Sequence, residues 1–126
     1  MTTPPAPAFE LTRLPPAEAS GLEGCFELRL AGRVYADVTP QLRALLEEGL
    51  ARGLRLLVVD ARALEQIDSS GLNEFVQLLK RTRPQGGKVA FYGLNENVAR
   101  VFEITKLSRV MPVTDGRPAA LAGVAS

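Results

Sequence analysis

The sequence predicts a single α/β domain in which a mixed central β-sheet carries its helices mainly on one face. Two segments with an apolar residue at every second position open the chain, and stretches of helical spacing then alternate with short apolar runs. Single helices between strands favour parallel pairing through right-handed crossovers, whereas the two opening strands can pair as a long hairpin. The 126 residues match the size of one ordinary domain. The predicted order of elements is therefore ββαβαβαβα.

Alternating apolar residues predict the two opening strands. Residues 9–14 alternate up to a pair of prolines, which end a strand because proline lacks the N–H that a sheet needs. Residues 25–31 alternate again, as in a strand that has one exposed face. Gly32 is expected to form a bulge or a turn at the end of this second strand.

A helix and a buried strand are predicted next. Thr39 is expected to cap the helix, the proline that follows it fits the first turn, and Gly53 provides a natural end. Residues 54–59 are nearly all apolar, which predicts a central strand covered on both faces. Residues 60–67 are interpreted as a loop that leads to the next helix.

The second half of the sequence is predicted to continue this alternation of helix and strand. Its signals are helix-capping residues, helix-ending prolines and glycines, and short apolar runs. The predicted elements are a helix opened by Asp68, a strand at residues 88–92, a helix capped by Asn95, a strand at residues 110–113 and a small terminal helix at residues 116–124.

Composition excludes several classes of function. The chain has no histidine, which removes Ser-His-Asp triads, Cys-His dyads and histidine-based metal sites. Its net charge is +1 and its basic residues are scattered, so neither nucleic acid nor an anionic membrane surface is an expected partner. The single cysteine, Cys25, permits no internal disulfide and fits a reducing compartment.

The N-terminus and the hydropathy of the chain predict its location. Residues 1–8 are proline-rich and lack the apolar stretch of a signal peptide, so we expect a disordered lead-in to a domain at residues 9–126. No apolar run approaches the roughly 20 residues that a membrane span requires. The expected location is therefore the cytoplasm, without membrane insertion.

The most informative stretch is Ile-Asp-Ser-Ser-Gly-Leu at residues 67–72, where a buried strand leads into a helix. The first amides of a helix lack acceptors and carry partial positive charge, and Asp and Ser are residues that satisfy them. Asp68 and Ser69 therefore fit a simple helix cap. Gly71 costs a helix about 1 kcal/mol relative to alanine, and we interpret it as leaving the backbone uncovered so that another protein can approach closely.

In three ordered segments the sequence resembles the STAS family, named for sulfate transporters and anti-sigma factor antagonists. The most specific is the Asp-Ser-Ser-Gly-Leu motif at residues 68–72. The others are residues 32–43, which begin Gly-Arg-Val, and residues 87–107, which contain Asn-Val-Ala-Arg-Val-Phe. The matching stretch runs from about residue 26 to residue 113, and it implies the same fold that periodicity predicts.

The resemblance also implies a function. In anti-sigma factor antagonists the serine after the aspartate, here Ser69, is phosphorylated by a partner that is both a serine kinase and an anti-sigma factor. The unphosphorylated protein binds that partner and frees the sigma factor, whereas the phosphorylated protein lets go. The chain would then be no enzyme and bind no cofactor, because the partner holds the ATP. The implied partner-binding residues are Asp68, Ser69, Ser70, Gly71, Leu72, Tyr35 and Asp37.

One position departs from the family pattern and leaves a second hypothesis open. Many members carry an aspartate where this chain has Tyr35, and the nearest acid is Asp37. The alternative is a constitutive STAS subunit of a larger assembly, either a stressosome component or the cytoplasmic partner of a lipid-transport ATPase, in which Ser69 is only a cap. A nucleotide-binding STAS domain would need a phosphate-cradling loop, and an enzyme would need an acid–base pair; neither is evident. The oligomeric state stays open, a homodimer included.

Overall fold

The computed structural model describes residues 8–19 and 21–125. Within these residues, five strands form one sheet in the same order as in the sequence; the first two strands are antiparallel and every other neighbouring pair is parallel. The predicted order of elements and the mixed sheet are confirmed. The elements are β1 (Ala8–Arg13), β2 (Cys25–Val34), α1 (Thr39–Ala51), β3 (Leu56–Ile67), α2 (Ser69–Thr82), β4 (Lys88–Tyr92), α3 (Glu96–Ile104), β5 (Val113–Thr114) and α4 (Arg117–Ala125).

The larger core lies on the sheet face covered by α1, α2 and α3. Phe75 of α2 packs edge-on against Phe91 of β4 with ring centroids 5.1 Å apart, and Phe91 packs in the same way against Phe102 of α3 at 4.8 Å. Edge-to-face pairs of this kind add about 0.5–1.5 kcal/mol each to the burial of their area. Ala120 and Val124 of α4 cover the opposite face. The helices therefore lie mainly on one face, as predicted.

The start of α1 differs from the prediction. Thr39 is the first helical residue rather than the cap; the capping position belongs to Val38, whose side chain makes no capping hydrogen bond. The Thr39 hydroxyl instead donates to the backbone carbonyl of Tyr35 at 3.2 Å. This bond closes the short turn between β2 and α1, and it explains why a threonine is useful at the first helical position although it does not cap the helix.

The third strand is longer than predicted, and the expectation of a loop at residues 60–67 is wrong. β3 continues through Asp60 to Ile67. Asp60 is buried in the sheet, and its carboxylate accepts two hydrogen bonds from the Arg62 side chain, from Nε at 3.0 Å and from Nη2 at 2.8 Å. Because this pairing satisfies the carboxylate, a charged residue is tolerated where the sequence signals the end of a strand.

The second strand is also longer, and Gly32 lies within it. The register between β2 and β3 shifts between Arg29 and Ala31 and again between Gly32 and Arg33, and Gly32 has φ +84°. Of the predicted alternatives, Gly32 therefore lies at a bulge rather than a turn, with the extra residues on β3, and β2 continues beyond it as far as Val34. As a result, β2 and β3 end side by side, and the turns that follow them are neighbours.

Two predictions at the ends of the chain change in detail. The last strand is Val113–Thr114 rather than residues 110–113, because a short 3-10 turn at Leu107–Arg109 ends at Val110. The predicted lead-in, residues 1–8, lies outside the described residues except for Ala8, which begins β1 and pairs with Ala31.

Candidate functional site

The candidate site lies at the carboxyl ends of β2 and β3, the edge where open parallel sheets generally bind their ligands. It combines the turn after β2, residues 35–38, with the first turn of α2. Ser69 is the first residue of α2 and is exposed, whereas Ser70 is half-buried. The hydroxyl that the sequence singled out is therefore reachable from outside.

Asp68 joins the parts of this site. Its Oδ1 accepts a hydrogen bond from the backbone N–H of Gly71 at 3.0 Å, so the predicted cap of α2 is confirmed. Its Oδ2 accepts from the backbone N–H of Ala36 at 3.0 Å, and its own amide donates to the carbonyl of Val34 at 3.1 Å. One aspartate thus fixes the helix start, the turn at residues 35–38 and the end of β2 relative to one another.

The first turn of α2 has two amides that find no acceptor among the described residues. The backbone N–H groups of Ser69 and Ser70 make no hydrogen bond with any residue that the structure describes. Unsatisfied amides at a helix start carry partial positive charge and are favourable neighbours of an anion. Ser69 therefore presents its hydroxyl where a negative group is electrostatically tolerated.

Gly71 and Leu72 lie in the interior, unlike the other residues of the motif. A Cβ atom at Gly71 would come within 2.8 Å of Cγ1 of Ile67 and 3.0 Å of Cγ1 of Val34. The expectation that this glycine leaves the backbone uncovered for a partner is wrong; its absent side chain lets α2 pack closely on the ends of β2 and β3. Leu72 is buried in the larger core, so both residues act on the surface only through the placement of Ser69.

Tyr35 and Asp37 occupy the turn after β2 but have different surroundings. Tyr35 is half-buried, and its hydroxyl donates to the Oε1 of Gln66 near the end of β3. Asp37 is exposed and makes no hydrogen bond or ion pair with any residue in the described ranges. Tyr35 therefore belongs to the ordered framework of the site, and Asp37 is a free carboxylate on the same turn.

Asn95 and Gln66 contribute to the site although the sequence did not assign them to it. Asn95 caps α3 as predicted, because its Oδ1 accepts from the N–H of Val98 at 2.9 Å. Its amide nitrogen also donates to the carbonyls of Leu64 at 3.2 Å and Glu65 at 3.0 Å. These bonds bring the start of α3 beside the end of β3. The capping signal identified Asn95, but only the fold shows which strand it holds.

An ion pair between a buried glutamate and an exposed arginine supports α2 from the side of α1. Glu74 of α2 is buried, and its carboxylate accepts from Arg43 of α1, at 2.6 Å from Nη2 and 3.0 Å from Nε. The hydrogen bond to Glu74 raises the pKa of Arg43 above its ordinary value, so the guanidinium stays charged at physiological pH. The pairing keeps the two helices that flank the site in fixed relation.

The described residues contain neither a cluster of metal ligands nor a membrane-spanning helix. No group of three or more cysteine, aspartate and glutamate side chains among residues 8–19 and 21–125 is placed to hold a metal ion. In that same part of the chain, none of the helices is long and apolar enough to cross a membrane.

Comparison with known proteins identifies the family. The model of the STAS domain family matches residues 16–120, and the chain belongs to this family. The anti-sigma-B factor antagonist of Staphylococcus aureus (strain NCTC 8325 / PS 47) is 29% identical over 91 residues, which cover 72% of this chain and 84% of that protein. The resemblance found in the sequence is therefore confirmed.

Solved structures show the same fold. An anti-sigma factor antagonist from Mycobacterium paratuberculosis superposes with a TM-score of 0.80 at 17% identity, covering 100% of both chains. The anti-sigma factor antagonist SpoIIAA in its unphosphorylated form gives a TM-score of 0.68 at 16% identity, covering 92% of this chain and 96% of that chain. Its phosphorylated form, described as a Bacillus cell fate determinant, gives 0.68 at 18% identity, with 93% and 99% covered.

Proposed function

We propose that this chain is a phosphorylation-controlled protein-binding switch of the anti-sigma factor antagonist type. Its unphosphorylated form binds an anti-sigma factor that is also a serine kinase, and phosphorylation of Ser69 releases that partner. The observation that carries the proposal is the exposed Ser69 hydroxyl at the first residue of α2, in a turn that Asp68 holds in place. The cytoplasm, where a sigma factor acts, is the corresponding location.

The relatives support the proposal in kind. The curated relatives from Staphylococcus aureus and Listeria monocytogenes are named anti-sigma-B factor antagonists. SpoIIAA, which shares the fold, has been solved both without and with its phosphate. These relatives are regulatory binding proteins rather than enzymes, and we infer the same for this chain, with ATP bound by the partner and no cofactor of its own.

The local geometry explains how a phosphate could act without unfolding the domain. A phosphoserine adds about −1.5 to −2 charges near neutral pH. The amides of Ser69 and Ser70, which have no acceptor among the described residues, can donate hydrogen bonds to this anion, so the start of α2 need not melt. The fold therefore persists, and the change is confined to the surface that the partner meets.

The same charge opposes docking. A dianion placed in an interface without a cationic partner costs several kcal/mol, because its hydration shell must be removed. The carboxylate of Asp68, the preceding residue, repels the phosphate on Ser69 and so adds to the unfavourable negative charge at this surface. A loss of about 2.7 kcal/mol already weakens binding a hundredfold, so local charge is sufficient to release the partner.

The test begins with the serine-kinase anti-sigma factors encoded in the same genome. Each is purified and incubated with the chain and ATP, and the product is weighed by intact-mass spectrometry. We expect a single added phosphate, absent in Ser69→Ala and retained in Ser70→Ala. Phosphate that survives in Ser69→Ala and disappears in Ser70→Ala would contradict the assignment to Ser69.

A binding measurement then tests the release. Ser69→Asp should bind the same kinase more weakly than the parent chain while unfolding just as cooperatively in urea. Ser69→Asn is the matched control, because asparagine has nearly the size of aspartate but no charge, and it should bind nearly as well as the parent. Equal binding by parent and Ser69→Asp would refute charge exclusion.

Tyr35 favours a second candidate function. It stands where many family members carry the aspartate that assists phosphorylation, and its hydroxyl is engaged by Gln66. The alternative is a constitutive STAS subunit of a stressosome or of a lipid-transport ATPase. In that case no kinase of the panel adds phosphate, and Ser69→Asp leaves assembly with the neighbouring subunits unchanged.

A further inference from the structure

An apolar groove lies directly beside the candidate site. It occupies about 240 Å3 between the turn after β2, the end of β3 and the first two turns of α3. No charged side chain lines it, in contrast to the cavity at the other end of the sheet, which Arg13 and Arg55 line. Its lining residues are Tyr35, Gln66, Ile67, Asn97, Val98 and Val101.

The walls of the groove are held in place by bonds already described. The Tyr35 hydroxyl is tied to Gln66, so the ring is fixed as one wall rather than free to rotate into solvent. Asn95 anchors the start of α3 to the backbone of β3, which fixes the opposite wall. A preformed groove costs a binding partner little ordering of this chain.

The groove and the exposed serine lie at the same edge of the sheet and are linked through Asp68. Ile67 lines the groove and is separated from Ser69 only by the capping residue Asp68. Ala36, next to Tyr35 in sequence, donates its amide to that same capping aspartate. A protein that covers Ser69 is therefore positioned to cover the groove as well.

Size and chemistry indicate what the groove accepts. Its volume is below the range of about 300–1,000 Å3 that small-molecule sites usually occupy. It offers valine and isoleucine surface, one tyrosine ring and two side-chain amides at Gln66 and Asn97, without a charge to bind an ionic group. These properties fit one large uncharged side chain rather than a nucleotide.

We propose that the groove is the docking pocket for an apolar anchor side chain, such as leucine or phenylalanine, of the partner that covers Ser69. The inference rests on the proposed function and deepens it. Binding then has two parts: the groove supplies affinity and partner choice, and Ser69 supplies the control. Tyr35 acts as a specificity-determining residue, because it forms a wall of the pocket at a position where many family members carry an acid.

The test compares two substitutions on the same helix. Val101→Arg places a bulky cation in the groove, whereas Ile104→Arg places it three residues further along α3, at a side chain that is 72% exposed and lies outside the groove. The probe is the purified serine-kinase anti-sigma factor that binds the parent chain in the assays above, with affinity measured by isothermal titration calorimetry.

We expect Val101→Arg to weaken binding at least about 30-fold, the loss that follows when an interface anchor worth about 2 kcal/mol is excluded. Ile104→Arg should stay within about 3-fold of the parent, since solvated charges near an interface have small effects. Asn97→Trp fills the groove from an exposed position and should weaken binding as much as Val101→Arg does. Because Asn97 is exposed, this second variant shows that the loss does not come from a folding defect. Urea unfolding of all three variants verifies that they fold.

The outcomes separate the two proposals. A kinase that binds the parent chain and Val101→Arg equally well overturns the docking pocket and leaves the Ser69 switch intact. Equal losses in Val101→Arg and Ile104→Arg also overturn it, because the effect would then follow from charge on α3 and not from the groove. A panel in which no kinase binds the parent chain overturns the proposed function and the docking pocket together.

Discussion

Replacing Asp68 with alanine is the perturbation that tests the architecture of the site most completely. The side chain accepts one hydrogen bond from Gly71 in α2 and one from Ala36 in the turn after β2, both at 3.0 Å. Asp68→Ala removes both acceptors at once. It leaves two amides without partners and disconnects the turn from the helix.

The size of the effect follows from these two bonds. Loss of a helix cap costs about 1 kcal/mol, and loss of a hydrogen bond to a charged acceptor costs about 1.5–3 kcal/mol. Asp68 is half-buried, so water can partly replace the aspartate and the lower end of each range applies. We therefore expect the free energy of unfolding to fall by about 2–3 kcal/mol.

Urea denaturation followed by circular dichroism measures this change. With an m-value of about 1–3 kcal/mol per molar urea, the midpoint should fall by roughly 0.7–3 M. Asp37→Ala is the matched control, because the Asp37 carboxylate lies on the same turn after β2 but makes no hydrogen bond or ion pair with any described residue. Hydrogen exchange at the amides of Ala36 and Gly71 should accelerate in Asp68→Ala only. The reasoning is refuted if Asp68→Ala and Asp37→Ala have the same midpoint.

Three further predictions follow from packing and burial. Gly71→Ala should lower the unfolding free energy by about 1 kcal/mol, because overpacking at Ile67 outweighs the gain in helix propensity. In a double-mutant cycle measured by urea unfolding, Ile67→Ala should cost less stability in the Gly71→Ala background than in the parent chain. The hydrogen bonds from Arg62 lower the pKa of Asp60, so the stability that this carboxylate provides is present above an unfolded pKa of about 3.9 and is lost as pH falls through the folded value. Asp60→Asn should therefore lower the free energy of unfolding by about 1–3 kcal/mol at pH 7. In unfolding curves measured at decreasing pH, this difference between variant and parent should shrink below about pH 4. Burial raises the pKa of the Cys25 thiol, so Ellman's reagent at pH 8 should label the native chain hardly at all and the denatured chain once; rapid native labelling would show that the strand opens.

The elements that sequence predicted well are those whose signals are local. Residues 88–92 lie between glycines and are apolar after Lys88, and the strand has those bounds. Asp68 and Asn95 cap their helices because a short side-chain acceptor before a helix bonds to an amide three residues on. Such features depend on neighbours in sequence, so no knowledge of the fold is needed.

The second half of β3 could not be recognised, and the reason lies in its pairing. After Asp60, the buried residues of β3 are Ala61, Leu64 and Ile67, at every third position. A search for alternation at every second position does not find this pattern. The spacing follows from the two register shifts against β2. Each shift adds one residue to β3 relative to β2, so the residues that face the core are three positions apart instead of two.

The misinterpretation of Gly71 has a different origin. A glycine in the first turn of a helix is compatible both with an open surface and with close packing, and the sequence is the same in either case. Only the approach of Val34 and Ile67, from two different strands, decides for close packing. The role of Tyr35 as a groove wall likewise depends on Gln66, which lies 31 residues away in the chain.

The most direct measurement is the affinity of the partner kinase, in the presence of ADP, for two purified forms of this chain that differ only in one phosphate on Ser69. Release by local charge predicts that the phosphorylated form binds about a hundredfold more weakly or worse, with an unchanged urea midpoint. Equal affinities for the two forms, or weak binding accompanied by loss of the folded state, would contradict the account.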